Sequence, residues 1–437
     1  MARCSKTPNG YVRKSEISSG SPPMKADCIV LGAGMVGISA AIHLLKRGRS
    51  VILVDRRGAA EETSYGNTGI IQTEAILPYA FPRELKKLMK YGVNGAPESN
   101  WHYSAFAHLA PNLFKYWRNS TPERMKASSR AFRPLAALCL TEHEAFAREA
   151  DVDNMLRRTG YLRLFRDQAS MDAALIVDEQ SRNAFGIKFT PLDAAGIREI
   201  EPHIQGPVVG GILMPEPVSV GDPGQLGKAY AALFTKLGGK MMTGDARTLA
   251  RSPEGWTIGN VEGVIEARDV VIALGPWSDD ALAAQGIKIP MFVKRGYHMH
   301  FKPRGNATLA RPVLDVAGGY CLTPMTKGIR LTTGAEFTWR DADPTPVQLQ
   351  KVEPMAREIL PLADRVDPEP WMGRRPCLPD MVPMIGPVVG RKGLWADFGH
   401  QHWGFTLGPV SGRLLAEMVT GEATFTDPFP YRMDRFN

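Results

Sequence analysis

Six residues, Gly32-Ala33-Gly34-Met35-Val36-Gly37, constrain this chain more than any other stretch. They follow an apolar run, Cys28-Ile29-Val30-Leu31, and open a segment patterned as a helix. A buried strand over 26–31, a helix over 35–47 stopped by Gly48, and a second strand over 50–55 make a βαβ unit of ordinary size. G-x-G-x-x-G at that junction works by sterics. Gly32 permits the tight turn, Gly34 lets the backbone approach a pyrophosphate, and Gly37 lets the helix pack close to the strand. Free N–H groups at the helix start then favour an anion. The second strand ends in Asp55, whose carboxylate can accept from ribose hydroxyls. Arg56 beside it either tolerates a ribose phosphate or faces water, and water is the simpler reading. A bare strand-to-helix turn is the alternative, and the complete βαβ context argues against it.

The chain has 437 residues, too many for one ordinary core, so two domains or a discontinuous pair are expected. Its 53 basic and 45 acidic side chains leave a net charge of +8, a mild bias. That suits anionic ligands or an anionic membrane surface, and peripheral contact at an inner membrane stays open. The basic residues are scattered, without the aromatic-interleaved block that nucleic acid would call for. No apolar run approaches the length of a membrane span. Five cysteines, Cys4, Cys28, Cys139, Cys321 and Cys377, form no C-x-x-C pair, and their odd number points to a reducing, cytoplasmic compartment. No His/Cys/Asp/Glu spacing suggests a metal. Residues 1–24 are polar and rich in Ser, Gly and Pro, without the apolar segment of a secretory signal, and read as a disordered lead. Met24 is an alternative start.

Further along, residues 84–150 read as several helices and 159–165 as a strand. Residues 190–202 read as a short helix ended by Pro202. A strand, a turn and a helix start fill 208–226, with Pro223 in the first turn. The helix runs to about Leu237, and the strand GGKMMTG follows it. Residues 269–275 read as a buried parallel strand; 291–301, 311–323 and 328–338 alternate as antiparallel strands do. A helix covers 346–360, a buried strand 393–400, and a helix 408–421. Nucleotide-type elements thus stand at the beginning, middle and end, with antiparallel strands between.

Several separated segments resemble, in order and spacing, the FAD-dependent D-amino-acid oxidase/dehydrogenase superfamily: EETSYGNTGIIQ (61–72), RGYHMHF (295–301), GRRPCLPDMVPMIGP (373–387) and LWADFGHQHWGFTLGPVSGRLLAEMVTG (394–421). The resemblance is strongest to bacterial D-amino-acid dehydrogenases of the small-subunit type, with glycine and sarcosine oxidases as cousins. It implies an α/β fold, with a discontinuous Rossmann-like FAD-binding domain (25–105, 203–275 and 370–437) interleaved with an antiparallel-sheet substrate domain (106–202 and 276–369).

It also implies FAD. Gly32, Gly34, Met35, Val36, Gly37 and Asp55, with Arg56 at the edge, match the nucleotide end. Thr63, Ser64, Asn67, Thr68, Gly69 and Ile70 match the pyrophosphate and flavin-edge loop. Ala246 falls beside the adenine, and Ala273 and Gly275 fall near the pyrophosphate. Gly399, Gly404, Phe405, Thr406 and Leu407 match a loop whose N–H groups face the flavin. Some cousins attach flavin through cysteine, but the spacing of Cys377 does not match, so FAD is expected to be non-covalent.

An amino-acid substrate brings a carboxylate beside the flavin, and the planar arginine fork suits it. Arg375 falls on the family's carboxylate-binding position, and Arg374 should point elsewhere. Tyr297, Tyr320 and His402 are further substrate-binding candidates; each has an equally ordinary packing explanation. His402 and Trp403 are bulkier than the family usually carries there. The flavin accepts hydrogen from the carbon bearing nitrogen, so no catalytic base is named. The expected reaction gives an imine and then a 2-oxo acid. Electrons would leave to a quinone or another carrier, or to O2. A non-catalytic flavin-bearing subunit is the rival of a different class.

Overall fold

The computed structural model describes residues 23–74, 76–260 and 262–436. Nearly all of the expected lead lies outside them, as does Cys4. Its last residue does not: Met24 opens the first strand and pairs with Ile265.

Two large sheets divide the chain. In the first, Lys240–Thr243, Val51–Asp55, Met24–Leu31 and Gly263–Ile272 run parallel in that order. The far half of Gly263–Ile272 continues the parallel set into Leu394–Phe398, while its near half pairs with the antiparallel strand Trp256–Asn260. Both faces are covered. Cys28 and Val30 pack under the helices Met35–Lys46 and Gly404–Thr420, whereas Ile29 and Leu31 pack against Trp256, Ile258 and Phe398. A strand buried on both faces has no polar positions to alternate, which is why 28–31 is uniformly apolar.

The second sheet is mostly antiparallel and centres on the long strand Phe292–Pro303, flanked by Gly328–Thr332 and Trp371–Cys377. It is not wholly antiparallel: Val313–Asp315 runs parallel to Tyr161–Phe165, and Ala335–Phe337 parallel to Ser99–Trp101. Pairing moves segments across the expected division. Gly210–Met214, Trp371–Cys377 and Ser99–Trp101, grouped with the nucleotide unit, all pair in this sheet. Conversely, the helix Pro122–Glu149 packs Phe132, Leu135, Cys139 and Phe146 into the core beneath the first sheet.

Several elements differ locally. Residues 190–202 form a strand, Thr190–Asp193, and a helix, Ala194–Ile200, with the Asp193 carboxylate accepting from Gly196 N–H at 2.8 Å as its cap. The helix Gln168–Phe185 has no counterpart in the sequence reading. It buries only Met171, Asp178 and Ser181, too thin a stripe to show a period. The last long helix starts at Gly404, four residues before the expected 408, because Gly404 through Leu407 already adopt its first turn.

Candidate functional site

The helices Met35–Lys46 and Gly404–Thr420 cross almost backbone to backbone. A Cβ on Gly412 would stand 2.6 Å from the Ala40 nitrogen, and one on Gly408 2.8 Å from the Met35 side chain. That approach brings both helix N-termini to one cleft of about 1080 Å³, lined by Gly34, Met35 and Val36 from one helix and Gly404 and Phe405 from the other. Two positive dipole ends aimed into one cavity make it an anion site.

The three motif glycines divide their work as expected. Gly32 has a φ of 102°, and a Cβ there would meet the Ala273 carbonyl oxygen at 2.5 Å. Gly37 lies against strand Met24–Leu31, where a Cβ would reach the Gly32 oxygen at 1.8 Å; it packs the helix and does not line the cleft. Gly34 is open: a Cβ there would find only the Ser64 hydroxyl, at 3.4 Å. Bare backbone facing a cavity is what a pyrophosphate requires. Ser64 Oγ accepts from Met35 N–H at 2.9 Å, leaving its own proton to donate. Asp55 uses its carboxylate to order the turn, accepting from Ala33 N–H at 2.9 Å and Arg57 N–H at 2.7 Å, and still lines the cleft. Arg56 is not simply in water. It lies on the Trp277 ring, 4.1 Å from its centre, and pairs with Glu62.

Residues 61–72 bridge the two sheets. Thr63 Oγ1 donates to the Arg374 carbonyl at 2.8 Å, and Asn67 Oδ1 accepts from Gly69 N–H at 2.8 Å. Thr63, Thr68, Asn67 and Ile70 line the cleft, as do Ala246, Ala273, Gly275 and Gly399. Gly69 does not; its φ of 70° turns the chain so that Ile70 pairs with Ser219. Thr406 and Leu407 are also off the cleft. Thr406 Oγ1 donates to the Ile70 carbonyl at 3.1 Å, and Leu407 is core. The open glycines, paired dipoles and hydroxyl-bearing loop fit FAD. Gly34, Ser64 and Asp55 would hold its nucleotide half, and Gly404, Phe405 and the 61–72 loop its ring.

At the other end, the strands Phe292–Pro303 and Trp371–Cys377 form the floor. Their register sets Lys294 opposite Arg375, Gly296 opposite Gly373, and His298 opposite Trp371. The two bare glycines are filled from the side. A Cβ on Gly296 would stand 2.6 Å from the Arg375 guanidinium, and one on Gly373 2.4 Å from the Trp371 indole. Arg375 donates to the carbonyls of Gly334 (2.7 Å), Thr333 (3.2 Å) and Arg295 (3.4 Å). Among the described residues no carboxylate pairs with it. Burial pushes its pKa down, yet a guanidinium keeps its charge. Arg374 points away, as expected, to the Arg340 carbonyl.

His402 lines the cleft with its ring 5.0 Å from that of Tyr79. Burial first, then Arg375 and Lys294, pushes its pKa down to about 3, so it is neutral. Trp403 turns away: its Nε1–H donates to Gln72 Oε1 at 3.1 Å, and its ring packs edge-on against Phe132.

Both tyrosine candidates line the cleft, with their hydroxyls engaged or packed within the protein. The Tyr297 hydroxyl donates to Glu336 at 2.7 Å and accepts from Thr345 N–H at 2.8 Å and Arg295 at 3.1 Å, so no capacity faces a substrate. Tyr320 packs with Leu162, Leu164 and Met299, while its neighbour Cys321 packs with Tyr161 and Ile70. The sequence reading passed over Lys294, Tyr79, Tyr116 and Trp371, all on the cleft wall. The available signal for Lys294 was its i−2 spacing from Gly296, which puts it, and not Arg295 or Tyr297, on the face of Gly296.

The model of the family described as FAD dependent oxidoreductase (DAO) matches residues 27–418. A D-amino acid dehydrogenase of Rhizobium johnstonii is 31% identical over 90% of this chain and 95% of its own length. A D-amino-acid oxidase of Bradyrhizobium diazoefficiens is 27% identical over 93% of this chain and 98% of its own. Glycine oxidase from Geobacillus kaustophilus superposes with a TM-score of 0.73 at 20% identity, covering 94% of this chain and 99% of that one, a likeness of fold. With its glycine cradle, its paired helix ends and this match across nearly all its length, the chain belongs to the DAO family of FAD-dependent oxidoreductases.

Proposed function

We propose that this protein oxidises the C–N bond of D-amino acids or related imino acids, giving an imine and then a 2-oxo acid. The observation that carries the reading is Arg375: a guanidinium oriented by three carbonyls, without a carboxylate partner among the described residues, on the wall of the cleft. A carboxylate is its natural complement. Bound FAD, held without a covalent bond, supplies the two-electron acceptor. The protein positions the substrate, with Arg375 fixing the carboxylate and neutral His402 beside it. Trp371, His402 and Tyr79 crowd water from the reacting carbon. Cys377 is buried, with its thiol turned to the Arg375 carbonyl at 3.6 Å.

Electrons then pass to a quinone or another carrier. A peripheral membrane contact is supported by the helix Leu85–Gly92, which buries no residue and exposes Leu85 and Met89 beside Lys86, Lys87 and Lys90 at the cleft mouth. A basic, apolar helix face of this kind suits an anionic bilayer. No helix among the described residues is long and apolar enough to cross a membrane.

The test is anaerobic. Purified protein is mixed with D- and L-enantiomers of amino acids, including proline and 4-hydroxyproline, and with glycine and sarcosine, while the yellow flavin band is followed. Bleaching by a D-compound and not its mirror image is the expected result. Admitting air then distinguishes a dehydrogenase from an oxidase. A band that no compound bleaches overturns the reading in favour of a non-catalytic flavoprotein.

A further inference from the structure

Lys294 sits directly across the strand pair from Arg375. Antiparallel partners project to the same face, so the two cations share one side of the cleft floor. Their side chains diverge. Arg375 lies over Gly296 toward the carbonyls of 333 and 334. The Lys294 ammonium donates to the Tyr116 hydroxyl at 3.1 Å, 4.4 Å from the centre of that ring, with the Phe292 and Phe337 rings at 5.7 and 5.8 Å. The Tyr116 hydroxyl donates onward to the Tyr79 carbonyl. An ammonium has three N–H donors, and Tyr116 takes one. Among the described residues no carboxylate pairs with either cation.

An ordinary lysine reaches water or an acid. This one is half-buried over three aromatic rings, whose faces offset part of its lost hydration, and beside a second positive charge that nothing offsets until an anion arrives. Arg375 alone accounts for the one carboxylate every amino acid carries. Lys294 is left over.

We propose that Lys294 binds a second acidic group of the substrate. The substrate class is then an acidic amino or imino acid, with its α-carboxylate on Arg375 and a side-chain or N-substituent carboxylate on Lys294. This rests on the amino-acid reading above.

The test uses the FAD-loaded protein and three variants, Lys294→Met, Lys294→Gln and Lys294→Arg, each checked for FAD content. Anaerobic flavin reduction is compared for D-alanine, D-leucine and D-proline against D-aspartate, D-glutamate and iminodiacetate. In parallel, dissociation constants of succinate and glutarate are measured against propionate and butyrate from perturbation of the flavin band. The acidic substrates should exceed the neutral ones at least tenfold in kcat/KM. Lys294→Met and Lys294→Gln should lose that preference, with neutral substrates changed less than threefold, and Lys294→Arg should keep most of it. Dicarboxylate affinity should fall at least tenfold in the Met variant while monocarboxylate affinity holds. Neutral substrates outrunning acidic ones in the unaltered protein, or both classes falling together in the variants, would overturn the proposal and leave the amino-acid reading intact. Should no amino acid bleach the flavin, that reading fails and the ligand arm decides alone. Tighter dicarboxylate binding that Lys294→Met abolishes sustains the two-cation site; equal binding of mono- and dicarboxylates removes it.

Discussion

Arg330 donates to the backbone carbonyl of Asn67, tying the second sheet to the 61–72 loop on the cleft wall. Its Nε–H donates to His300 Nε2 at 3.0 Å, and His300 Nδ1–H donates to Asp367 at 2.5 Å. Because an arginine Nε is only a donor, this chain requires neutral His300 protonated at Nδ1. Burial, then Arg330, pushes the His300 pKa down, while Asp367 pulls it up; Lys327 also faces Asp367, and His298 packs on the His300 ring.

Arg330→Met should therefore weaken FAD binding about tenfold, the scale of one charge-assisted hydrogen bond. A histidine whose folded pKa lies below its unfolded 6.5 contributes stability that is fully present above that value and is lost as pH falls through the folded value. Folding stability of the unaltered protein should thus decline from pH 7 to pH 5, and more steeply than that of Arg330→Met, which lacks the neighbouring charge that holds the His300 pKa down. Thermal unfolding of both proteins across that range checks it, and parallel slopes would refute the linkage.

Removing the proposed carboxylate clamp should act on substrate alone. Arg375→Met is expected to lower kcat/KM by roughly ten- to 150-fold, about 1.5–3 kcal/mol for a hydrogen bond to a charged group, mainly through KM. FAD content should not change, since Arg375 touches only the carbonyls of residues 295, 333 and 334. Gly296→Ala should reproduce part of the effect without touching the charge, because its methyl would stand 2.6–2.8 Å from the guanidinium. Steady-state kinetics of both variants decide the matter, and unchanged KM in both would rule out the assigned role.

What was legible divides along a physical line. Gly32, Gly34, Gly37 and Asp55 act through backbone geometry within one short unit, so spacing along the chain carried their arrangement. Arg375 and His402 lie in segments whose motif order was recognisable. Tyr297, Tyr320 and Lys294 depend on which strand face meets the cleft, and a one-residue offset reverses that. Arg295, Tyr297 and Glu336 form a closed network, which only the pairing of Phe292–Pro303 with Ala335–Phe337 reveals. Segment assignment failed similarly: nothing local to Gly210–Met214 says that it pairs with Tyr161–Phe165.

The contact of Gly37 with Gly32 leaves no room for a methyl. A Cβ at Gly37 would come within 1.8 Å of a backbone oxygen, which no rotamer change relieves. Gly37→Ala should push the helix Met35–Lys46 off its strand, costing about 3 kcal/mol or more. Because that helix end would also cradle the pyrophosphate, purified variant should carry little FAD and melt at lower temperature. Gly48→Ala is the control for general loss of glycine: unlike Gly37 it has a positive φ, 75°, but a Cβ there meets nothing within 4 Å. It should cost only the αL penalty of roughly 1–2 kcal/mol and retain FAD.

Glu74 gives the chain a titration near neutrality. Burial pushes its pKa up to about 7, against hydrogen bonds that favour the charged form, including Gln72 Nε2–H to Glu74 Oε1 at 2.9 Å. Gln72 in turn accepts from Trp403, which links Glu74 to the turn before the helix Gly404–Thr420. The folded protein holds this proton more tightly than the unfolded chain, whose carboxyl titrates near 4.5. Stability from this group is therefore present below pH 4.5 and declines as pH rises to 7, by on the order of 2–3 kcal/mol. Replacing the carboxyl by a neutral amide of the same shape removes the titration and keeps the contact to Gln72. Thermal unfolding between pH 5 and pH 8 should accordingly show Glu74→Gln gaining on the unaltered protein as pH rises, with the difference levelling off above 7. Melting curves that stay parallel over the whole range would mean that Glu74 is ionised throughout, and that the Gln72–Trp403 link rests on a charged carboxylate.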